Sequence, residues 1–191
     1  HMGWVANQQH FAIGEKIVTP VEIKETKPSR GCYPIATFLS QRGTLDVWSR
    51  AYTDYFSRKG MERQAIASLA IWGSPLMPFT RQDNLMINLQ GKTGLGKTTA
   101  LLFIVSAYGD PQSQLLMKWK DTGNSVFARA GIMHNLPLTI DEITHGDPQK
   151  VSDHIMSMSD GRGRNRAKQD GTERENTAFW NNITVYSSNI S

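Results

Sequence analysis

Residues Gly91-Lys92-Thr93-Gly94-Leu95-Gly96-Lys97-Thr98 fit the pattern GxxxxGK followed by Ser or Thr, with no mismatch. The pattern prescribes a local structure, an anionic ligand and a metal together. Glycines let the backbone curl so that successive N–H groups point inward at phosphate oxygens. The lysine, Lys97, reaches the β- and γ-phosphates, and the Thr98 hydroxyl is placed to hold Mg²⁺. The surroundings agree. Asn84-Leu85-Met86-Ile87-Asn88-Leu89 reads as a buried strand entering the loop, and Thr98-Thr99-Ala100-Leu101-Leu102-Phe103-Ile104-Val105 as the helix leaving it. That helix would aim its N-terminus at the phosphates. A chance glycine loop would need neither neighbour. The expected nucleotide-binding residues are therefore Gly91, Thr93, Gly94, Leu95, Gly96, Lys97, Thr98 and Thr99, with ATP and Mg²⁺ as cofactors.

The chain has 191 residues, room for one domain or one domain with an appendage. No apolar run approaches the roughly 20 residues of a membrane span, and no signal peptide is expected. His1-Met2 reads as the remnant of a cleaved tag, so a native protein that begins earlier is expected. A single cysteine, Cys32, cannot form an internal disulfide, which suits a reducing cytoplasm. The net charge of +4 permits nucleic-acid binding without arguing for it. The placement of charge says more.

Three regions follow from the patterning. Residues 1–42 hold the tag remnant, a hairpin over Phe11-Ala12-Ile13-Gly14-Glu15-Lys16-Ile17-Val18 turning near Gly14-Glu15, and a polar linker from Glu22 to Tyr33. They are expected to belong to a preceding domain or to act as a collar. Residues 43–80 form a helical segment. Thr44 caps a helix carrying Leu45, Val47, Trp48, Ala51, Tyr52, Tyr55 and Phe56, ended by Gly60. A second helix runs from Met61 to Trp72 and closes before Gly73 and Pro75. The aromatics share one helical face and read as core rather than as base-stacking platforms. Residues 81–191 alternate strand and helix, which implies a parallel sheet with helices on its faces. Further strands are expected near Gln114–Trp119, Leu136–Asp141 and Ile183–Ser188. Helices are expected after a cap at Thr122 or Asn124, and from about Pro148 to Met158.

Leu136-Pro137-Leu138-Thr139-Ile140-Asp141-Glu142 is an apolar strand ending in two carboxylates, at the strand end where open α/β folds bind ligands. Asp141 would hold the metal, with Thr98. Glu142 would act as general base on the attacking water. Such a pair also commonly caps a helix; here it follows an apolar strand downstream of an intact glycine loop. The last strand ends in Ser187-Ser188-Asn189, and Asn189 or Ser188 could bond the γ-phosphate or orient the water. Lys97, Glu142 and Asn189 are the expected catalytic residues. Between these strands, Arg162, Arg164, Arg166 and Lys168 alternate ahead of Asp170-Gly171, a strong hairpin turn signal. On a strand all four share one face, a positive comb suited to phosphate backbones. Glu173 and Glu175 on the other arm would partly neutralise it. A solvated edge hairpin is the plainer reading, and an arginine finger reaching a neighbouring subunit's γ-phosphate is another.

In its order of parts the chain resembles an AAA+-type ATPase. More closely, it resembles the helicase-like P-loop ATPase domains of phages and mobile elements, often found alongside primases and similar to superfamily 3 helicases. The residues that carry the resemblance are Gly91 to Ala100, Trp119 and Thr122, Asp141-Glu142 as a Walker B pair, Gly161-Arg162-Gly163-Arg164, and Trp180 leading into Ser187-Ser188. It covers about residues 45–191. The resemblance implies a homo-oligomeric ring, a hexamer, that threads single-stranded or primer-template DNA. It also implies a hairpin touching DNA in the slot of Asp170-Gly171, a sensor at Asn189, and a primase or polymerase domain on the same chain. It further implies a core that continues past Ser191, and a cytoplasmic location in a bacterial host. His145, Asp147 and His154 suit no standard zinc spacing. Lys92 could contact phosphate or be solvated, and His10 and His134 carry no argument. The expectation is an α/β P-loop ATPase driving a replicative DNA helicase. An ATP-switched DNA loader, initiator or packaging ATPase is the alternative, and a small-molecule kinase is disfavoured by Glu142.

Overall fold

The computed structural model describes residues 1–121, 123–143, 147–163 and 178–189. It begins with an antiparallel meander: β1 (Gly3–Val5), β2 (His10–Ile13), β3 (Lys16–Val18) and β4 (Ile23–Glu25), in that spatial order. The expected hairpin is present, with Ile13 opposite Lys16 around Gly14-Glu15. The expected linker after Glu22 is in part a strand. Thr19 gathers the N–H groups of Val21 and Glu22 on its hydroxyl and turns the chain, after which Ile23 pairs with Val18. Three exposed residues held by backbone pairing leave no apolar alternation to read.

The meander is docked onto the later parts of the chain. Trp4 donates its indole N–H to the Pro75 carbonyl (2.7 Å) and its backbone N–H to Asn135 Oδ1 (3.0 Å). Met2, read as part of a tag, is 2% exposed and sits in the core beside Ile35 and Ala36 of the short helix α1 (Tyr33–Ala36).

Helix α2 (Leu45–Phe56) starts where expected, its cap Thr44 accepting from Val47 N. The chain then forms two helices where one was expected, α3 (Glu62–Ser68) and α4 (Ala70–Leu76), followed by a 3₁₀ turn at Met77–Phe79. Helix α4 runs through both Gly73 and Pro75. Proline removes the N–H that would bond the carbonyl four residues back, here Ile71. The Tyr108 hydroxyl supplies that bond instead, so the helix tolerates Pro75 and no buried acceptor is stranded. Gly73 lies close to Ile183: a Cβ there would be 2.9 Å from the movable Cδ1 end of that side chain.

The second sheet consists of β5 (Leu85–Gly91), β6 (Leu116–Lys118), β7 (Leu138–Asp141) and β8 (Ile183–Asn189), all parallel, in the order β5-β8-β7-β6. Helices α5 (Lys97–Ser106), α6 (Gly123–Met133) and α7 (Pro148–Ser159) alternate with the strands. Side chains alternate across a strand, and β8 shows it. Ile183 and Val185 join a cluster with Leu101 and Ile104 of α5, whereas Tyr186 joins one with Phe127 of α6 and Met158 of α7. Both faces are thus covered, as a parallel sheet requires. The α2 aromatics pack into the α5 cluster around Phe103. Helix α6 begins at Gly123, which places Asn124 inside it rather than at its cap; Thr122 lies outside the described residues.

Candidate nucleotide and metal site

The glycine loop sits between β5 and α5, and its conformation requires its glycines. Gly94 (φ +86°) and Gly96 (φ +74°) occupy the left-handed region, which a side chain makes costly. Gly96 is also the residue before the first turn of α5, so the opening N–H groups of that helix have no capping side chain in front of them. Lys97 is the first residue of α5. Though 8% exposed, its ammonium is satisfied by the carbonyls of Gly91 (2.7 Å) and Lys92 (2.8 Å). Thr93, Thr98 and Thr99 are exposed around it.

Two contacts that sequence patterning does not show hold this loop from below. The Tyr55 hydroxyl of α2 donates to the Gly96 carbonyl (3.0 Å). Gln64 Nε2 of α3 donates to the Leu95 carbonyl (2.6 Å). Tyr55 lies on the apolar stripe of α2, so its ring is legible as core; the reach of its hydroxyl is not. The helical segment before the sheet is thus the support of the loop.

Opposite Lys97 stands Asp141, at the carboxyl end of β7 and 2% exposed. Thr98 Oγ1 donates toward both its oxygens (3.2 Å each), Lys118 Nζ to Oδ2 (2.8 Å), and Ser187 Oγ to Oδ1. Burial pushes the pKa of this carboxyl up. The hydrogen bonds from Lys118 and Ser187, the Lys118 charge and the Thr98 hydroxyl outweigh burial, and hold it below the usual carboxylate range. Lys118 faces Asp141 in register across β6 and β7, and Trp119 N–H donates to the Asp141 carbonyl (3.0 Å).

Glu142 leaves the strand with φ +63° and an exposed side chain, its N–H bonded to Ser187 Oγ (3.0 Å). Ser187 therefore ties both carboxylate residues to β8. The sequence reading singled out Ser188 and Asn189. Strand parity separates them: Ser188 Oγ accepts from Asn88 Nδ2 (3.0 Å), while Asn189 shares the parity of Ser187 and is paired with Gly91. The α5 face is thus the one that Ser187 and Asn189 present to the loop. Ser187, named only as part of the polar end of the strand and of the resemblance, and Lys118 are the site residues to which the sequence reading gave no role. The signal for Ser187 was its even spacing from Asn189; Lys118 shows only once the β6–β7 register is known.

Of the basic comb, Arg162 is exposed and its backbone bridges to Phe179, with Gly163 N–H on the Ala178 carbonyl (2.9 Å). Arg164, Arg166, Lys168 and the Asp170-Gly171 turn lie outside the described residues, as does His145. Asp147 caps α7 by accepting from Gln149 N (3.0 Å), and His154 is buried among aromatic rings. No cluster of metal-ligating side chains occurs among the described residues, and no helix among them is long and apolar enough to cross a membrane.

A hydroxyl and a buried carboxylate form a hard-oxygen donor pair of the kind that suits Mg²⁺. Two lysines and a helix N-terminus nearby suit an anion. The chain resembles known proteins in two respects. Residues 1–178 match a family described as "Domain of unknown function (DUF927)". The fold is similar to that of a solved structure described as "SCCmec type IV Cch - active helicase", with a TM-score of 0.57 and 20% identity. The likeness covers 94% of this chain but 36% of that one, so the chain spans little more than a third of its length. No curated protein matches the chain.

Proposed function

The chain belongs to the DUF927 family, and on the geometry of its site we propose that it is the ATP-hydrolysing motor domain of a helicase acting on single-stranded DNA. The carrying observation is the approach of Thr98 Oγ1 to the Asp141 carboxylate at 3.2 Å, from 43 residues apart, at the carboxyl edge of one parallel sheet. A P-loop NTPase needs a hydroxyl on the helix and a carboxylate on a nearby strand. The likeness to a protein described as an active helicase supports the same reading.

In this reading residues 91–99 hold the triphosphate of ATP, and Thr98 and Asp141 hold Mg²⁺. When bound, the metal neutralises charge on the β- and γ-phosphates. The protein supplies the rest. Lys97 exchanges the Gly91 and Lys92 carbonyls for phosphate oxygens. Lys118, which holds Asp141 Oδ2 in the structure, would give up that oxygen to the metal. Glu142, exposed beside the loop, takes the proton of the attacking water. Asn189, on the α5 face, orients that water or bonds the γ-phosphate. Arg162, with Arg164, Arg166 and Lys168, contacts the phosphates of the strand or reaches into a neighbouring site of a hexameric ring.

ATP hydrolysis with Mg²⁺, measured with and without single-stranded DNA, tests the proposal. Turnover that rises with DNA and vanishes in Glu142→Gln, while that variant keeps ATP binding, is the expected result. Slow, DNA-indifferent turnover would instead make the protein an ATP-switched loader, initiator or packaging factor. Loss of ATP binding in neither Lys97→Ala nor Asp141→Ala would remove the site altogether.

A further inference from the structure

On the face of the sheet away from α5, a cavity of about 410 Å³ opens beside the end of β6. Its size falls within the roughly 300–1,000 Å³ of small-ligand sites. Its walls are aromatic: Trp119 after β6, Phe127 on α6 and His154 on α7. The His154 ring stands at 90° to Trp119 (centroids 5.1 Å apart) and at 23° to Phe127 (5.8 Å). Ile140, the residue before Asp141, also lines it, and Asp121, Lys150 and Asp153 add charge. Each carboxylate accepts a hydrogen bond, Asp121 from Lys118 N (3.0 Å) and Asp153 from Gln149 Nε2 (2.8 Å), and Asp121 also lies within reach of the Arg129 charge. A purely apolar guest would waste these groups. A flat ring with polar edges would use both the walls and the carboxylates.

The residues around the mouth indicate what carries such a ring. Lys118 and Lys120 flank Trp119, and Lys118, Lys120 and Lys150 are all exposed. Cations beside an aromatic platform are the pattern by which proteins grip a nucleic-acid single strand, stacking a base while neutralising its phosphates. We propose that this cavity takes one unstacked nucleobase of a DNA single strand, with Trp119 as the stacking platform and Lys120 and Lys150 on the flanking phosphates. Asp121 or Asp153 accepts from an exocyclic amino group of the base. The inference rests on the reading of the chain as a DNA-dependent motor. It adds a path to the nucleotide site: the Trp119 N–H is bonded to the Asp141 carbonyl, and Lys118, its neighbour, to the Asp141 carboxylate. A base seated on Trp119 therefore presses on the segment that holds Asp141.

Photo-crosslinking tests this on the unaltered protein, using an oligodeoxycytidine strand with one 5-iododeoxycytidine and mass spectrometry of the crosslinked peptide. Crosslinks at Trp119, Phe127 or His154, competed by unlabelled strand, are expected. Trp119→Ala should weaken strand affinity by roughly 5- to 150-fold, the range for loss of one stacked base. Trp119→Phe, which keeps a ring, should lose much less, and Lys150→Glu, on an exposed position, should also weaken binding. Strand binding with crosslinks confined to the Arg162 side, or equal affinity in all variants, overturns the pocket but leaves the motor reading standing. Competition by ATP that persists in Lys97→Ala, where the glycine loop no longer holds the triphosphate, would reassign the cavity to a free nucleotide and overturn it too. Failure to bind any single strand would sink both.

Discussion

Ser187→Ala tests the hinge on which the two carboxylate residues turn. In the native structure the Ser187 hydroxyl donates to Asp141 Oδ1 and accepts from Glu142 N–H at 3.0 Å. Removing it breaks both bonds without opening a large cavity. A hydrogen bond to a charged group contributes about 1.5–3 kcal/mol, and an ordinary one about 0.5–1.5. The two losses sum to about 2–4.5 kcal/mol, against a total stability of roughly 5–15 kcal/mol for a domain. Asp141 is 2% exposed, so water does not easily replace the lost donor. The adjacent Ser188→Ala removes only the neutral bond from Asn88 Nδ2 on the opposite face, worth about 0.5–1.5 kcal/mol. Denaturant unfolding at neutral pH should find Ser187→Ala the less stable variant by at least about 0.5 kcal/mol. The pH dependence adds a second check. The Asp141 pKa is lowered in the folded state, so the unfolded chain binds the proton more readily. Its contribution is full above the unfolded carboxylate value of about 3.9 and is lost as pH falls through the lower, folded value. Without Ser187 the folded pKa rises toward the unfolded one, and less stability is lost on acidification. Equal stability of the two variants at neutral pH, with identical acid profiles, would refute the assignment of Ser187.

Three further outcomes follow from the geometry. Gly96→Ala forces a side chain into φ +74° and against the Tyr55 hydroxyl; it should cost about 1–3 kcal/mol in denaturant unfolding and abolish ATP binding in equilibrium titration. Tyr108→Phe strands the Ile71 carbonyl beneath Pro75 and should cost about 1–3 kcal/mol; in a Pro75→Ala background, where the substitution restores the helical N–H, thermal melts should show that cost reduced by half or more. Lys118→Met removes a charge-assisted bond to a carboxylate that is 2% exposed, from a lysine side chain that is 52% exposed; solvent screens part of the loss, so neutral-pH stability should fall by about 1–3 kcal/mol, while the Mg²⁺ concentration needed for nucleotide binding, read by fluorescence titration, should drop several-fold.

Much of the sheet was legible because its strands are apolar runs bounded by turns, and the glycine loop because its backbone admits few residue types. The α5 face of β8 was half legible: Asn189 was given a role but Ser187 was not, since only the register with β7 shows which hydroxyl meets Asp141. Lys118 is silent in sequence for the same reason. Its partner is 23 residues away and is set by strand pairing rather than by local spacing. The error at α4 came from treating Gly73 and Pro75 as stop signals. A tertiary donor, Tyr108, cancels the cost that makes proline a stop. The fourth strand of the meander was hidden by its exposure, and the role of residues 1–42 by their lack of any long apolar pattern. Helix α2 was placed correctly, because a Thr cap and a helical stripe are local signals.

The docking of Trp4 onto Pro75 and Asn135 bears on the order in which the molecule forms. Asn135 is 131 residues further along the chain, and contacts of such separation carry a loop-closure cost that slows folding. During synthesis the meander emerges before the parallel sheet, yet the surface on which its edge strand settles is complete only once the chain has passed the turn between α6 and β7. A segment made ahead of the sheet is therefore immobilised after it. Pulse-labelled hydrogen exchange during refolding should find the β1 and β2 amides protected after those of β5, β7 and β8.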